Sequence, residues 1–138
     1  MIKTTKEKAI RAAEVIAKVK LDKTTKETKH TVIRLSPKLK RLANEHDTLV
    51  REAMERLRPA DYEALAAKKP DDYTPQEQET VRRYNDDIRE CVEVELAKEI
   101  EFDVLPLTEE EVVAIMDSNP DMTVGHAVAI MDALCAEV

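Results

Sequence analysis

The chain has 138 residues, 43% of them hydrophobic and 37% charged, with one Gly, no Trp and three Tyr. That length suffices for one domain with its own hydrophobic core, and the residue types suit helices better than sheets. With a single Gly, the chain also lacks a nucleophile elbow, a phosphate-binding P-loop and a dinucleotide-binding motif, because each of these needs glycines at defined spacing.

Charge is strongly segregated along the chain. Residues 1–58 contain 16 Lys and Arg against 8 Asp and Glu, a balance of +8, whereas residues 59–138 contain 6 against 21, a balance of −15. No Lys or Arg follows Lys98. This polarity favours a nucleic-acid contact, an acidic partner, or attraction between the two halves within or between copies.

The first predicted helix begins at Thr4 or Thr5 and runs to about Leu21. A capping threonine precedes apolar residues that recur at three- and four-residue steps, so one side is expected to pack and the other to present lysines. The polar stretch that follows, residues 22–31, is predicted to be a flexible connection. The N-terminal segment, residues 1–30, is therefore interpreted as a basic helix and a linker.

Two short segments have the pattern of extended chain. The apolar and β-branched residues from Val32 to Leu35 predict a strand, and a strand needs a partner. The other segment of this kind runs from Ile100 to Val104, with apolar residues at alternate positions. The sequence therefore predicts a minor two-stranded pairing of these segments beside the helices.

Two long helices are predicted in the middle of the chain. Each begins with a capping residue followed by proline, Ser36–Pro37 for the first and Thr74–Pro75 for the second, and they run to Arg58 and to near Glu99. A short helix is expected within residues 59–69. Because the apolar stripes of long helices must be buried, residues 36–104 are predicted to form a central bundle.

The C-terminal segment, residues 105–138, is predicted to be an acidic helical hairpin. Its sequence Val-Ala-Ile-Met-Asp at residues 113–117 returns at residues 128–132. In both copies an upstream threonine, Thr108 or Thr123, stands where a helix is capped. The whole chain is accordingly predicted to be a single all-α domain, a bundle of five or six helices.

The last helix, Val124 to about Glu137, is apolar over most of its circumference. A core covers such a helix on both sides, or one side serves as a docking surface for a protein partner or a second copy, including the Lys-rich N-terminal segment of that copy. The predicted docking residues are Val124, Ile130, Ala133, Leu134 and Met131.

The histidines predict structural roles. His46 falls within the apolar stripe of a long helix and is expected to be a hydrogen-bonded core or core-edge residue. His126 follows Thr123 by three residues and is expected to close the first turn of its helix. Glu27 and His30 have the spacing that di-iron bundles use, but such sites need a second copy of the pair. No metal, cofactor or catalytic residue is predicted.

The expected compartment is the cytoplasm. Cys91 and Cys135 cannot make a disulfide framework and are interpreted as small buried hydrophobes in a reducing environment. A Lys-rich segment follows Met1 where a secretory signal would be apolar. The longest uncharged apolar-rich run has ten residues, about half of what a membrane helix needs.

The sequence favours a non-catalytic interaction or assembly protein: an adaptor, an assembly chaperone or a phage-type accessory factor. The first alternative is a nucleic-acid accessory protein that binds non-specifically through its basic N-terminal segment. The second is an enzyme with an unrecognised carboxylate site. The residues predicted for nucleic-acid binding are Lys3, Lys6, Arg11, Lys18 and Lys20.

Overall fold

The computed structural model describes residues 1–135, and these residues form six α-helices and a two-stranded antiparallel sheet. The mostly α-helical class predicted from the sequence is confirmed. The elements in chain order are β1 (Ile2–Thr5), α1 (Lys6–Ile16), α2 (Lys26–Arg56), α3 (Tyr62–Ala67), a 3-10 turn (Pro70–Asp72), α4 (Pro75–Leu96), β2 (Glu99–Phe102), α5 (Glu109–Ser118) and α6 (Val124–Leu134). The predicted end of the last helix, near Glu137, lies outside the described residues.

The chain divides into two compact units. The first unit combines Met1–Glu45 with the described part of Leu96–Val138, and the second is His46–Glu95. The basic N-terminal segment and the acidic C-terminal hairpin, which lie at opposite ends of the sequence, therefore belong to the same unit.

The core of the first unit lies between its terminal helices. Helix α1 makes its most extensive contact with α6. Small residues line the buried side of both, Ala9, Ala12 and Ala13 on α1 and Ala127 and Ala133 on α6, and small side chains allow two helices to approach closely. Larger residues complete this core: Ile2, Ile16, Val32, Leu35, Leu39, Phe102, Val104, Leu107, Val112, Ile115, Ile130 and Leu134.

The sheet joins the beginning of the chain to the segment after α4. Ile2 pairs with Phe102 and Thr5 with Glu99. The predicted strand near Ile100 is thus present, but its predicted partner, Val32 to Leu35, is wrong. Those residues lie in α2, where Val32 and Leu35 are buried. Their apolar positions also fit a helical stripe, and packing of that stripe in the core decides between the two structures.

Helix α2 begins at Lys26, ten residues before Ser36, the predicted cap. Thr25 caps it: its Oγ1 accepts a hydrogen bond from the Thr28 N–H at 3.3 Å, and its carbonyl accepts one from Lys29 at 3.1 Å. Pro37 consequently lies inside the helix, where a proline costs about 3 kcal/mol. The prediction fails because a strong local start signal is overridden by tertiary packing on both sides of the proline.

The end of the predicted first helix and the start of the predicted flexible connection are hydrogen-bonded to the end of α5. The Lys20 N–H donates to Asn119 Oδ1 and the Asn119 side-chain amide donates to the Lys20 carbonyl, each at 2.8 Å. The Lys23 N–H donates to Ser118 Oγ at 2.9 Å. These hydrogen bonds attach the N-terminal segment to the hairpin of the same copy, so it is not a free arm.

In the second unit, the predicted cap of α4 is confirmed. Thr74 and Glu77 form reciprocal hydrogen bonds of 3.1 Å between side chain and backbone N–H. Tyr84 on α4 donates its hydroxyl proton to the Met54 carbonyl at 2.8 Å, and its ring lies 5.9 Å from that of Tyr62. No residue of α4 is fully buried, so its predicted buried stripe is only half-buried.

Candidate interaction surface

Both helices of the C-terminal hairpin begin with a capping box, as their threonines predict. Thr108 Oγ1 accepts from the Glu111 N–H at 3.2 Å, and Glu111 Oε1 accepts from the Thr108 N–H at 3.1 Å. Thr123 and His126 form the same pair of hydrogen bonds at 3.2 Å, with His126 Nδ1 as the acceptor. His126 therefore closes the first turn of α6, as expected.

The repeated sequence has the same orientation toward the core in both helices. Ile115 and Ile130, the third residue of each copy, are fully buried, whereas Val113 and Val128, the first residue of each copy, are 49% and 45% exposed. The repeat therefore encodes one packing pattern used twice, which agrees with its interpretation as a packed helix pair.

The five predicted docking residues divide between the core and the surface. Ile130, Ala133 and Leu134 are buried in the core of the first unit and cannot contact a partner without local unfolding. Val124 is 71% exposed and Met131 36% exposed. The expectation that α6 offers a docking surface opposite its packed side is thus corrected for the three buried residues.

An exposed apolar line remains on α6. Val124, Val128 and Met131 follow one another at steps of four and three residues, and all three are exposed. Such spacing places side chains on one face of a helix, so we call these three residues the α6 stripe. The polar neighbours Asp121 and Asp132 are also exposed. The α6 stripe is consequently an exposed apolar surface with these two aspartates close to it in the sequence.

The equivalent surface of α5 has a different composition. Val113 is exposed there, but the residues one turn before and after it are Glu109 and Asp117, both exposed. Met116, the counterpart of Met131, is partly buried against the core. On α5 the exposed valine is therefore isolated among carboxylates.

The five basic residues predicted for nucleic-acid binding do not form one exposed patch. Lys6 is buried, and its backbone N–H donates to the Lys98 carbonyl at 2.9 Å. Lys3 forms an ion pair with Glu101 at 3.6 Å, and Arg11 forms one with Glu7 at 2.8 Å. Lys18 and Lys20 are exposed.

The basic stretch from Lys3 to Arg41, through which the sequence allows a non-specific DNA contact, also contains a set of cations on the first half of α2. Sequence reasoning did not place them on one helix, because they fall in the predicted linker, the predicted strand and the start of the predicted long helix. The signal that could have found them is the Thr25 cap followed by Thr28, Val32, Leu35 and Leu39, which are spaced as one buried stripe.

His46 and Cys135 are two titratable residues whose surroundings the structure describes. His46 is buried, and its Nδ1 has no hydrogen-bond partner within residues 1–135. Burial, with the negative charges of Glu111 and Glu109, raises the pKa of the Cys135 thiol, which disfavours the thiolate that a nucleophile requires. Within the same residues, no group of three His, Cys, Asp or Glu side chains is placed to hold a metal ion.

Comparisons of the chain with protein-family models, with curated proteins and with solved structures gave no match. Of the helices that the structure describes, none has the length and apolar character needed to cross a membrane.

Proposed function

We propose that this protein is a non-catalytic adaptor or assembly factor that binds a protein partner through the α6 stripe, in a reducing compartment such as the cytoplasm. The observation that carries the proposal is that Val124, Val128 and Met131 are exposed in one line on α6. The opposite side of this helix is buried in the core. The free thiols Cys91 and Cys135 support the compartment.

The charge around the α6 stripe indicates the chemistry of the partner. Asp121 and Asp132 are exposed and close to the stripe in the sequence, and no Lys or Arg follows Lys98. The nearest cations belong to the N-terminal segment: Lys18 and Lys20 line a pocket with Asp121, and Lys3 and Lys8 line one with Asp132. A partner that matches this surface presents apolar side chains flanked by Lys or Arg, as on one face of an amphipathic helix. The stripe would fill the apolar centre of such an interface and the aspartates its rim.

Photo-crosslinking tests this proposal in cells that express the chain naturally. A photoreactive amino acid at position 128 should give one adduct of defined mass, and mass spectrometry of that adduct should identify a basic, apolar segment. Position 113 is the matched control, because Val113 has the same place in the repeat and nearly the same exposure.

An adduct formed equally at positions 113 and 128, or none at position 128, would overturn docking by the α6 stripe. An adduct with the mass of two copies would identify the partner as a second copy of this chain.

A further inference from the structure

The N-terminal half of α2 has one buried face and one basic face. Thr28, Val32, Leu35 and Leu39 are buried at steps of three and four residues. The cations on the other side of the helix are all exposed. We call this set the α2 basic face: Lys26, Lys29, Arg34, Lys38, Lys40 and Arg41.

The cations of the α2 basic face form no ion pair within the described residues, and one acidic residue, Glu27, lies among them. Glu27 is the single acidic residue between Lys23 and Asn44 in the sequence. In the described part of the chain, none of the ion pairs involves any of the six cations. The face thus differs from the outer surface of α1, where Arg11 is paired with Glu7.

The first turn of α5 is hydrogen-bonded to the buried face of α2. The Thr28 hydroxyl, on the buried face of α2, donates to Glu111 Oε2 at 2.5 Å. Glu111 also caps α5, so the first turn of α5 with its three glutamates is fixed near this buried face. The glutamates at the start of α5 are therefore near the buried face of α2, and the six cations are on its exposed side.

We propose that the α2 basic face binds the phosphate backbone of nucleic acid. From Lys26 to Arg41 the helix extends about 22 Å at 1.5 Å per residue. One strand of duplex DNA presents a phosphate about every 3.4 Å, so about six or seven phosphates span the same distance. The helix carries six cations over that length, a number comparable to these phosphates, and they are spread over about half of its circumference.

Binding of this kind is independent of sequence. Lys and Arg contact phosphates, and such contacts position a protein on nucleic acid without identifying bases. Ile33 and Pro37 are the exposed apolar residues between these cations, and neither is an aromatic platform on which bases stack. The proposal does not depend on docking by the α6 stripe, because the two surfaces share no residue.

A membrane surface is a poorer match for the same face. Helices that lie on a bilayer insert a broad apolar face next to their cations. The apolar face of α2 is already buried in the core, through Val32, Leu35 and Leu39. Ile33 is the one large apolar side chain exposed among the six cations.

The test is a binding titration of the full-length chain with a fluorescent 20-nucleotide single strand and a 20-base-pair duplex, at several salt concentrations. The double variant Arg34→Glu/Lys38→Glu should lose at least about tenfold in affinity at low salt. The slope of log affinity against log salt should fall by about two. Circular dichroism checks that the variant remains helical.

A control variant with the same change in net charge tests whether binding depends on the α2 basic face or only on the total charge of the protein. Lys8→Glu/Lys18→Glu makes the same change in net charge at two exposed lysines outside α2, and it should retain affinity within about threefold. Equal losses in both double variants would overturn the assignment to α2. Absence of binding to either oligonucleotide by the unmodified chain at low salt would overturn the proposal, as would binding of phosphatidylserine vesicles in its place.

The variant Val128→Glu distinguishes this proposal from the proposed function. It should bind nucleic acid within about threefold of the unmodified chain, because position 128 lies on α6 outside the α2 basic face. A loss of nucleic-acid binding in Val128→Glu comparable to that of the α2 double variant would contradict the assignment.

Discussion

Helices α5 and α6 share five consecutive residues and a capping box but present different surfaces. The shared residues place Ile115 and Ile130 in the core in the same way. The residues before them differ: α5 begins with three glutamates, whereas α6 begins with Val124, Gly125 and His126. The comparison teaches that the repeat determines how the hairpin packs, and that the residues outside it determine what each helix can bind.

The largest effect is expected from truncating the two buried isoleucines. Ile115→Ala and Ile130→Ala should each lower the free energy of unfolding by about 2 to 5 kcal/mol, because a cavity replaces packed methyl groups. Val113→Ala and Val128→Ala, at exposed positions, should change it by no more than about 0.5 kcal/mol. Chemical denaturation measures all four. Equal losses at buried and exposed positions would contradict the shared orientation of the repeat.

Removing the residues of the two capping boxes should lower the free energy of unfolding by a smaller amount, and by different amounts in α5 and α6. Thr108→Ala and Thr123→Ala should each cost about 1 kcal/mol, the usual cost of losing a cap. Glu111→Ala should cost more than His126→Ala, because Glu111 also accepts the hydrogen bond from Thr28. Thermal unfolding of the four variants, with the Thr28→Val variant as a partner in a double-mutant cycle, measures the difference. No coupling between positions 28 and 111 would show that this hydrogen bond contributes nothing.

The smallest expected effect is on the reactivity of the Cys135 thiol. Cys135 directly follows α6, and two acids of α5 contribute to its raised pKa. Burial first, then the charges of Glu111 and Glu109, raise the pKa of its thiol. The thiolate is the reactive form, so alkylation of Cys135 should require a higher pH than alkylation of an ordinary cysteine. Glu109→Gln should move this pH dependence downward slightly. An unchanged or upward-shifted profile would contradict the influence of α5 on this thiol.

Elements with strong local signals were predicted well. The caps at Thr74, Thr108 and Thr123 depend on residues within one helical turn, and each is present as expected. The equal orientation of the repeated residues follows from helical periodicity alone. These features need no knowledge of what the helix packs against.

Elements decided by distant partners were not predicted. The strand near Ile100 pairs with Ile2–Thr5, with Ile100 opposite Thr4 in a chain of 138 residues, and no local pattern indicates so distant a partner. The start of α2 was misplaced because Ser36–Pro37 resembles a helix start, while packing in the core extends the helix back to Lys26. That error also concealed the α2 basic face.

The predicted docking residues also depend on a packing partner that is distant in the sequence. Hydrophobicity identified α6 as apolar on two sides, but it could not tell which side the core would cover. The alanines of α1 determine this, because they pack with the side of α6 that carries Ala127 and Ala133. The exposed residues are consequently Val124, Val128 and Met131.

The most direct measurement of the central claim compares the variants Val128→Glu and Val113→Glu in binding to the partner crosslinked at position 128. Both substitutions add one negative charge at an exposed valine of the same repeat. If the α6 stripe is the docking surface, Val128→Glu should weaken binding at least about tenfold, because a charge enters a desolvated interface, while Val113→Glu should remain within about threefold. Equal affinities of the two variants would contradict docking through the α6 stripe.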